Sequence, residues 1–345
     1  DLSTVKKATL PMMAALGGML VPALIYIAFN NNLPTDRGWG IPMATDIAFA
    51  LALLSLAGKH IPGSVKVFLS ALAVTDDLGA VLVIAFFYTS HIAIAPLIIA
   101  AGLLLFLGIG NMLGVRSILF YLIIGLGVWL CFLLSGVHAT IAGVLVAFMI
   151  PARTKIDEKE YVSKMRKYTD DFEKANPQAG DLTTAEQHAT IEKIKQICLD
   201  AETPLQKVEY GLHPWVAFVI MPLFALANAG MHIGSDFISS LINPLSLGVA
   251  GGLLIGKFVG VLLFTWLMVK FKLSALPENA RWTHIAGVAI LAGVGFTMSL
   301  FITALAFKDE NMVNQAKYGI LAASFIAGLV GLIMLRSSGK NEEAP

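Results

Sequence analysis

Five ionisable side chains stand inside long apolar stretches of this chain: Asp46, the adjacent pair Asp76 and Asp77, His138 and Lys257. An aspartate or lysine at the centre of a membrane helix costs about 2.5–3.5 kcal/mol on insertion scales, so each calls for a partner or a task. The pair lies in ALAVTDDLGAV. Neighbours on a helix point about 100° apart, so both carboxyls can line one cavity without sharing a narrow pocket. A carboxyl in a low-dielectric interior beside a second anion exchanges protons near neutral pH. Ionised, the same oxygens suit a hard cation held by carboxylate, carbonyl and water. Proton and cation then compete for one place. If the empty, doubly anionic form cannot reorient through the interior, only loaded forms move, and the two fluxes run in opposite directions. The plain alternative is a scaffold pair satisfied by backbone donors and lysine, which is a poor reason to place two aspartates there.

Lys257, in GLLIGKFVGVLL, needs an aspartate as counter-ion. A fixed structural ion pair and a pair that opens during a working cycle are both compatible with the residues. Thr45 and Asp46 occupy an internal interruption of their apolar run, where facing half-helix dipoles need neutralising. Asp46 offsets the positive ends and Lys257 the negative ones, a reading favoured over direct cation ligation by Asp46. His138, in LSGVHATIAG, reads first as a hydrogen-bonded packing residue, with a pH-responsive role as the alternative. Glu209 and His213, in KVEYGLHPWVAF, sit at the mouth of a predicted span, either as exposed helix-start residues or as groups whose titration tunes activity. Tyr210 and Trp215 beside them suit an interfacial belt.

The elements that must carry these residues follow from composition. Hydrophobic residues make up 57% and charged residues 14% of 345 positions, against about 25% charge in a soluble domain. Residues 152–210 hold 12 acidic and 10 basic residues, nearly half of all the charges. Elsewhere apolar runs long enough for a ~30 Å hydrocarbon layer predominate. The expected fold is an all-α polytopic membrane protein with ten spans at 8–30, 40–58, 64–89, 93–111, 117–134, 136–151, 212–231, 245–269, 284–307 and 314–336. With the first residues inside, short inside segments hold ten basic residues (Lys6, Lys7, Lys59, Lys66, Arg116, Lys270, Lys272, Arg281, Arg336, Lys340) and outside loops three (Arg37, Lys308, Lys317). That bias places both visible ends in the cytoplasm.

The expected organisation is 1–151 for spans one to six, 152–210 as a charged cytoplasmic loop with helical segments, 211–336 for spans seven to ten, and 337–345 as a cytoplasmic tail. Within the loop, Thr183 and Glu186 read as a capping box ahead of Ile191, Ile194 and Cys198 at helical spacing. Pro177 and Gly180 precede that helix and Pro204 ends it, giving a solvated helical hairpin. Spans two and nine look interrupted, the first by Pro42 and Thr45-Asp46, the second by Gly287, Gly293 and Gly295 with Thr297 and Ser299. They are the middle members of two triplets, 8–89 and 245–336, which enter the membrane from opposite sides, as an inverted repeat requires. Ordinary glycine packing is the alternative for span nine. A net charge of +1 and no basic stripe argue against nucleic acid. Cys131 and Cys198 give neither a disulfide framework nor metal spacing. The chain opens at Asp1 rather than Met, so earlier segments of a longer chain are expected.

The series ATDIAFALALLSLAG, SALAVTDDLGAV, SGVHATIAGV, LHPWVAF, PLFALANAG, LLIGK and GFTMSLFI resembles the NhaA family of sodium/proton antiporters, in order and spacing, over nearly the whole chain except 152–208. The resemblance implies an inverted-repeat bundle with two crossed, discontinuous helices in a bacterial inner membrane. It implies Asp77 and Asp76 as the site for Na+ or Li+ and for protons, Asp76 as partner of Lys257, and Thr45 and Asp46 at the crossing. It implies Glu209 and His213 in a cytoplasmic pH-sensing cluster, His138 as a modulator of the pH response, and electrogenic exchange without a cofactor. The family carries two further upstream helices and a dimerising hairpin, neither seen here, which leaves a homodimer open. The insert before span seven is larger than usual for the family.

Three rival readings have different requirements. The first is another secondary carrier on the same architecture, such as a potassium/proton exchanger or an organic-anion symporter, and a symporter would need polar or basic groups for an anion where only Lys257 is available. An intramembrane aspartyl protease needs two aspartates on separate helices, which Asp46 with Asp76 or Asp77 offers, but its Gly-x-Gly-Asp context is absent. A cation channel fits interrupted helices with a double aspartate and a lysine less well than alternating access does.

Overall fold

The computed structural model describes residues 5–58, 60–88, 92–175, 183–230 and 241–340. They form two compact units, one of residues 1–89 with 220–345 and one of residues 90–219. All regular elements among the described residues are helical.

In the first unit, α1 (Val5–Asn30) keeps its helix through Pro11 and Pro22. A 3-10 helix (Asp36–Met43) carries Pro42, residues 44–46 follow without helical structure, and α2 (Ile47–Ala57) begins with Asp46 as its N-cap. Pro42 lacks the N–H that a continuing α-helix would use, and here, unlike at Pro11 and Pro22, the chain leaves helical form after the next residue, Met43. α3 (Gly63–Phe87) is unbroken and carries both aspartates of the pair. Later in the chain come α10 (Met221–Ala229), then α11 (Pro244–Gly251), a π-turn (Gly252–Gly256) and α12 (Lys257–Lys270). α13 (Trp282–Leu291) and α14 (Phe296–Ala306) are bent by 43° at the break between them. α15 (Glu310–Lys340) closes the set.

Small residues let these helices approach closely. A Cβ at Gly260 on α12 would stand 2.1 Å from the carbonyl oxygen of Gly17 on α1, and one at Gly293, in the second break, 2.4 Å from the carbonyl oxygen of Leu253. Only hydrogen fits at either place. One core layer, including Leu10, Ala14, Leu54, Phe68, Val261 and Ile285, joins α1, α2, α3, α12 and α13. A second, including Tyr26, Ile41, Ala80, Leu253, Leu300 and Ile320, wraps the two interrupted spans.

The second unit contains α4 (Ile94–Met112), α5 (Ile118–Ser135), α6 (Thr140–Met149), α7 (Glu158–Lys174), α8 (Ala185–Ala201) and α9 (Pro204–Trp215). Ala100, Leu107, Tyr121, Val128, Phe132 and Ala142 form its core. The charged hairpin of α7 and α8 starts each helix with a side-chain cap, Asp157 to Glu160 N at 2.7 Å and Thr184 to Gln187 N at 3.2 Å.

Among the described residues eight helices are long and apolar enough to cross a membrane, and the bent pair α13–α14 makes a ninth span. Several expectations need correction. The sixth span shrinks from 136–151 to the ten-residue α6, because Gly136 takes a left-handed φ of 82° and the helix starts only after His138 and Ala139. The seventh begins at Pro204, not 212, since Thr203 caps it and Pro204 occupies its first turn. The capping box is Thr184 with Gln187, one residue after Thr183 and Glu186. α15 runs on to Lys340, past the expected end at 336. Lys59, Pro177 and Gly180 lie outside the described residues, as do the side chains of Lys6 and Lys7.

Candidate functional site

The pair's first member is held by neighbours from two other spans. Asp76 on α3 is fully buried, and Lys257, at the start of α12, is fully buried against it. The Lys257 ammonium donates to Asp76 Oδ2. Thr45, from the break before α2, places Oγ1 2.7 Å from the same oxygen and 2.8 Å from the carbonyl oxygen of Ala292 in the other break. The hydroxyl carries one proton, so it donates to one of the two at a time. The lysine stem runs past Gly18, where a Cβ would come within 3.6 Å of Lys257 Cδ. Asp77, one residue on, is partly buried. Asp76 Oδ1 and Asp77 Oδ1 are both shielded from solvent and have no hydrogen-bond partner among the described residues.

Asp46 does different work. Its Oδ1 accepts from Phe49 N at 3.2 Å, capping α2. Its Oδ2 accepts from Thr297 N at 3.1 Å and from the Thr297 hydroxyl, capping α14 from another span. Its own N–H donates to the carbonyl oxygen of Val294 at 2.6 Å. Ser299 returns the exchange by donating to the carbonyl oxygen of Ile41 at 2.9 Å, and Ser324 on α15 accepts from Phe296 N at 3.1 Å. The polar backbone groups freed by the two breaks are thus answered across the crossing, as a water-poor interior requires.

The structure brings Thr45, Asp46, Asp76, Asp77 and Lys257 together within the first unit. Lys257 meets the Asp76 carboxylate there. Glu209 and His213 lie on α9 in the second unit, four residues apart on one face, and both are exposed. His138 belongs to the second unit too, partly buried in the turn before α6, with its carbonyl oxygen accepting from Ile141 N at 3.2 Å. Thr297 and Ser299 stand out in the sequence only as hydroxyls of a glycine-rich span. The one signal for their part in the site is that they follow directly on a Gly-Val-Gly interruption, where donors and acceptors of another span must be met.

Fold and site together define a multi-pass α-helical membrane protein whose interior holds a carboxylate pair, an ammonium and two interrupted helices that cap one another. The profile of the Na+/H+ antiporter 1 family matches residues 1–335, and the chain belongs to that family. It is 47% identical over 336 residues to the Na+/H+ antiporter NhaA 2 of Syntrophotalea carbinolica, covering 97% of this chain and 77% of that protein. To the Na+/H+ antiporter NhaA 1 of Psychromonas ingrahamii it is 48% identical, covering 98% and 77%. To the Na+/H+ antiporter NhaA of Helicobacter pylori strain J99 it is 44% identical, covering 97% and 76%.

Proposed function

We propose that this protein exchanges Na+ or Li+ for protons across the bacterial inner membrane, by alternating access in which cation and protons compete for Asp76 and Asp77. One observation carries the reading: on an uninterrupted membrane-length helix, two adjacent carboxylates each keep a shielded oxygen without a partner among the described residues, beside Lys257 and a helix break. Such oxygens are costly unless a proton or a cation occupies them. Thr45 Oγ1 adds a neutral oxygen next to Asp76.

Charge balance gives the coupling. Asp46, Asp76 and Asp77 against Lys257 leave the ionised site with two net negative charges. One Na+ removes one of them, and two protons remove both. The empty site is the form that pays most to reorient, because uncompensated ions in a low-dielectric interior cost several kcal/mol each. The cycle therefore moves net charge, and the membrane potential drives it. Asp46 serves as a cap, offsetting the positive ends of α2 and α14.

Glu209 and His213, exposed and one turn apart on α9, serve as the pH-responsive group, with His138 as modulator, since histidine titrates near neutrality. Both ends of the chain face the cytoplasm, following the bias of basic residues. Lipid and a second copy of the chain are its partners, and Na+, Li+ and H+ are its cargo, with no resident cofactor. In everted vesicles containing the full protein, adding Na+ or Li+ should dissipate an imposed proton gradient, K+ should do little, and Asp77→Asn should abolish the response. Undiminished exchange in that variant removes the assignment.

A further inference from the structure

Three carboxylates share one protein interior here, yet their hydrogen bonding separates them. Asp46 has three donors, two of them from Thr297, which is itself almost wholly buried. An ionised carboxylate has about four lone-pair sites, so Asp46 has little left to offer a cation. Asp76 and Asp77 each retain an oxygen with no partner among the described residues. Asp46 is nevertheless close, since its neighbour Thr45 touches Asp76. What distinguishes a cap from a ligand at this crossing is which donors surround the carboxylate, and most of those around Asp46 come from a single residue 251 positions away.

We propose that Thr297 is a positioning residue for the exchange reaction: by holding Asp46 Oδ2 with its hydroxyl and its N–H, it keeps Asp46 as the shared cap of α2 and α14 and withholds it from the cation, so that the ion meets only the Asp76–Asp77 pair. The idea rests on the exchange reading above. Thr297→Val keeps the side-chain shape and the N–H but removes the hydroxyl donor. Asp46 Oδ2 then keeps only the N–H donor and gains a free lone pair, the cap of α14 weakens, and the ion encounters a third carboxylate. Thr297→Ser keeps the donor.

The test uses the full protein in proteoliposomes, with initial exchange rates measured against Na+ and against Li+. Thr297→Val is expected to lower the maximal rate about tenfold, the worth of a hydrogen bond to a charged group. It should also shift the apparent KM for Na+ by threefold or more, while Thr297→Ser stays within twofold of the parent in both. On an Asp46→Asn background, Thr297→Val should change neither value further, because the residue acts through Asp46. Parent-like rate and KM in Thr297→Val, failure of Thr297→Ser to rescue in protein that unfolds at the parental temperature, or a full additional loss on the Asp46→Asn background would each overturn the proposal. Absence of Na+-dependent exchange in the parent itself would instead overturn the functional reading.

Discussion

Removing the Lys257 ammonium should destabilise the protein more than removing both members of its ion pair. Lys257 and Asp76 are each wholly inaccessible to solvent. Lys257→Met keeps an unbranched apolar chain but leaves Asp76 with Thr45 as its one remaining hydrogen-bond partner among the described residues. Breaking a buried pair from one side costs about 3–5 kcal/mol, because the other charge stays desolvated and unanswered. At about 2 °C per kcal/mol for a chain of this size, the unfolding midpoint in detergent should fall by roughly 6–10 °C. Asp76→Val should cause a comparable loss. The double variant Lys257→Met, Asp76→Val should recover much of it, since replacing both charges with packed apolar groups is often neutral or favourable. Thermal unfolding of the four proteins gives the coupling directly. A midpoint for Lys257→Met within about 1 °C of the parent, or a double variant as unstable as the sum of the singles, would refute the reasoning.

Two other outcomes follow from contacts away from the pair. Gly260→Ala puts a methyl group 2.1 Å from the Gly17 carbonyl oxygen, so α1 and α12 must separate, and purified protein should unfold at least roughly 5 °C lower in the same scan. In the charged hairpin, Asp200 Oδ2 accepts from Lys155 Nζ at 3.0 Å and Oδ1 from Gln196 Nε2 at 3.1 Å. The Lys155 hydrogen bond, with help from Gln196, holds the Asp200 carboxyl below its ordinary value of 3.8. A carboxyl lowered by folding contributes stability above that ordinary value and loses it as pH falls through the folded one. The hydrogen-exchange protection factor of the last turn of α8, corrected for the intrinsic exchange rate at each pH, should therefore fall by about two- to fivefold between pH 6 and pH 3, with Asp200→Asn removing that dependence.

How far these features can be read from the chain depends on the distance over which each is determined. Long apolar runs fix membrane-length helices locally, and an intramembrane lysine must meet an aspartate, so the Lys257 ion pair is foreseeable in kind. Residue types alone leave three aspartates as candidates; the fold brings the Lys257 ammonium to Asp76 on α3. The capping box shows a limit at short range. Both Thr183 with Glu186 and Thr184 with Gln187 satisfy the pattern, and Gln187 wins while also reaching the Ala175 carbonyl at 3.4 Å. The stretch 136–151 is apolar enough for a span, but the left-handed Gly136 and the turn at His138 consume its start. The π-turn at Gly252–Gly256 answers Pro22 of a helix far away in sequence, where a Cβ on Gly256 would lie 2.6 Å from Pro22 Cα. Thr297's hold on Asp46 belongs with these last cases, since nothing within the local sequence of either residue specifies it.

Proton release on cation binding tests the central claim most directly. Purified protein in weakly buffered detergent solution, titrated with NaCl against a choline chloride control and followed with a pH indicator across pH 6–9, should release protons as Na+ binds. Asp77→Asn should release fewer or none. Saturable Na+ binding that expels no protons at any pH in this range would contradict the account.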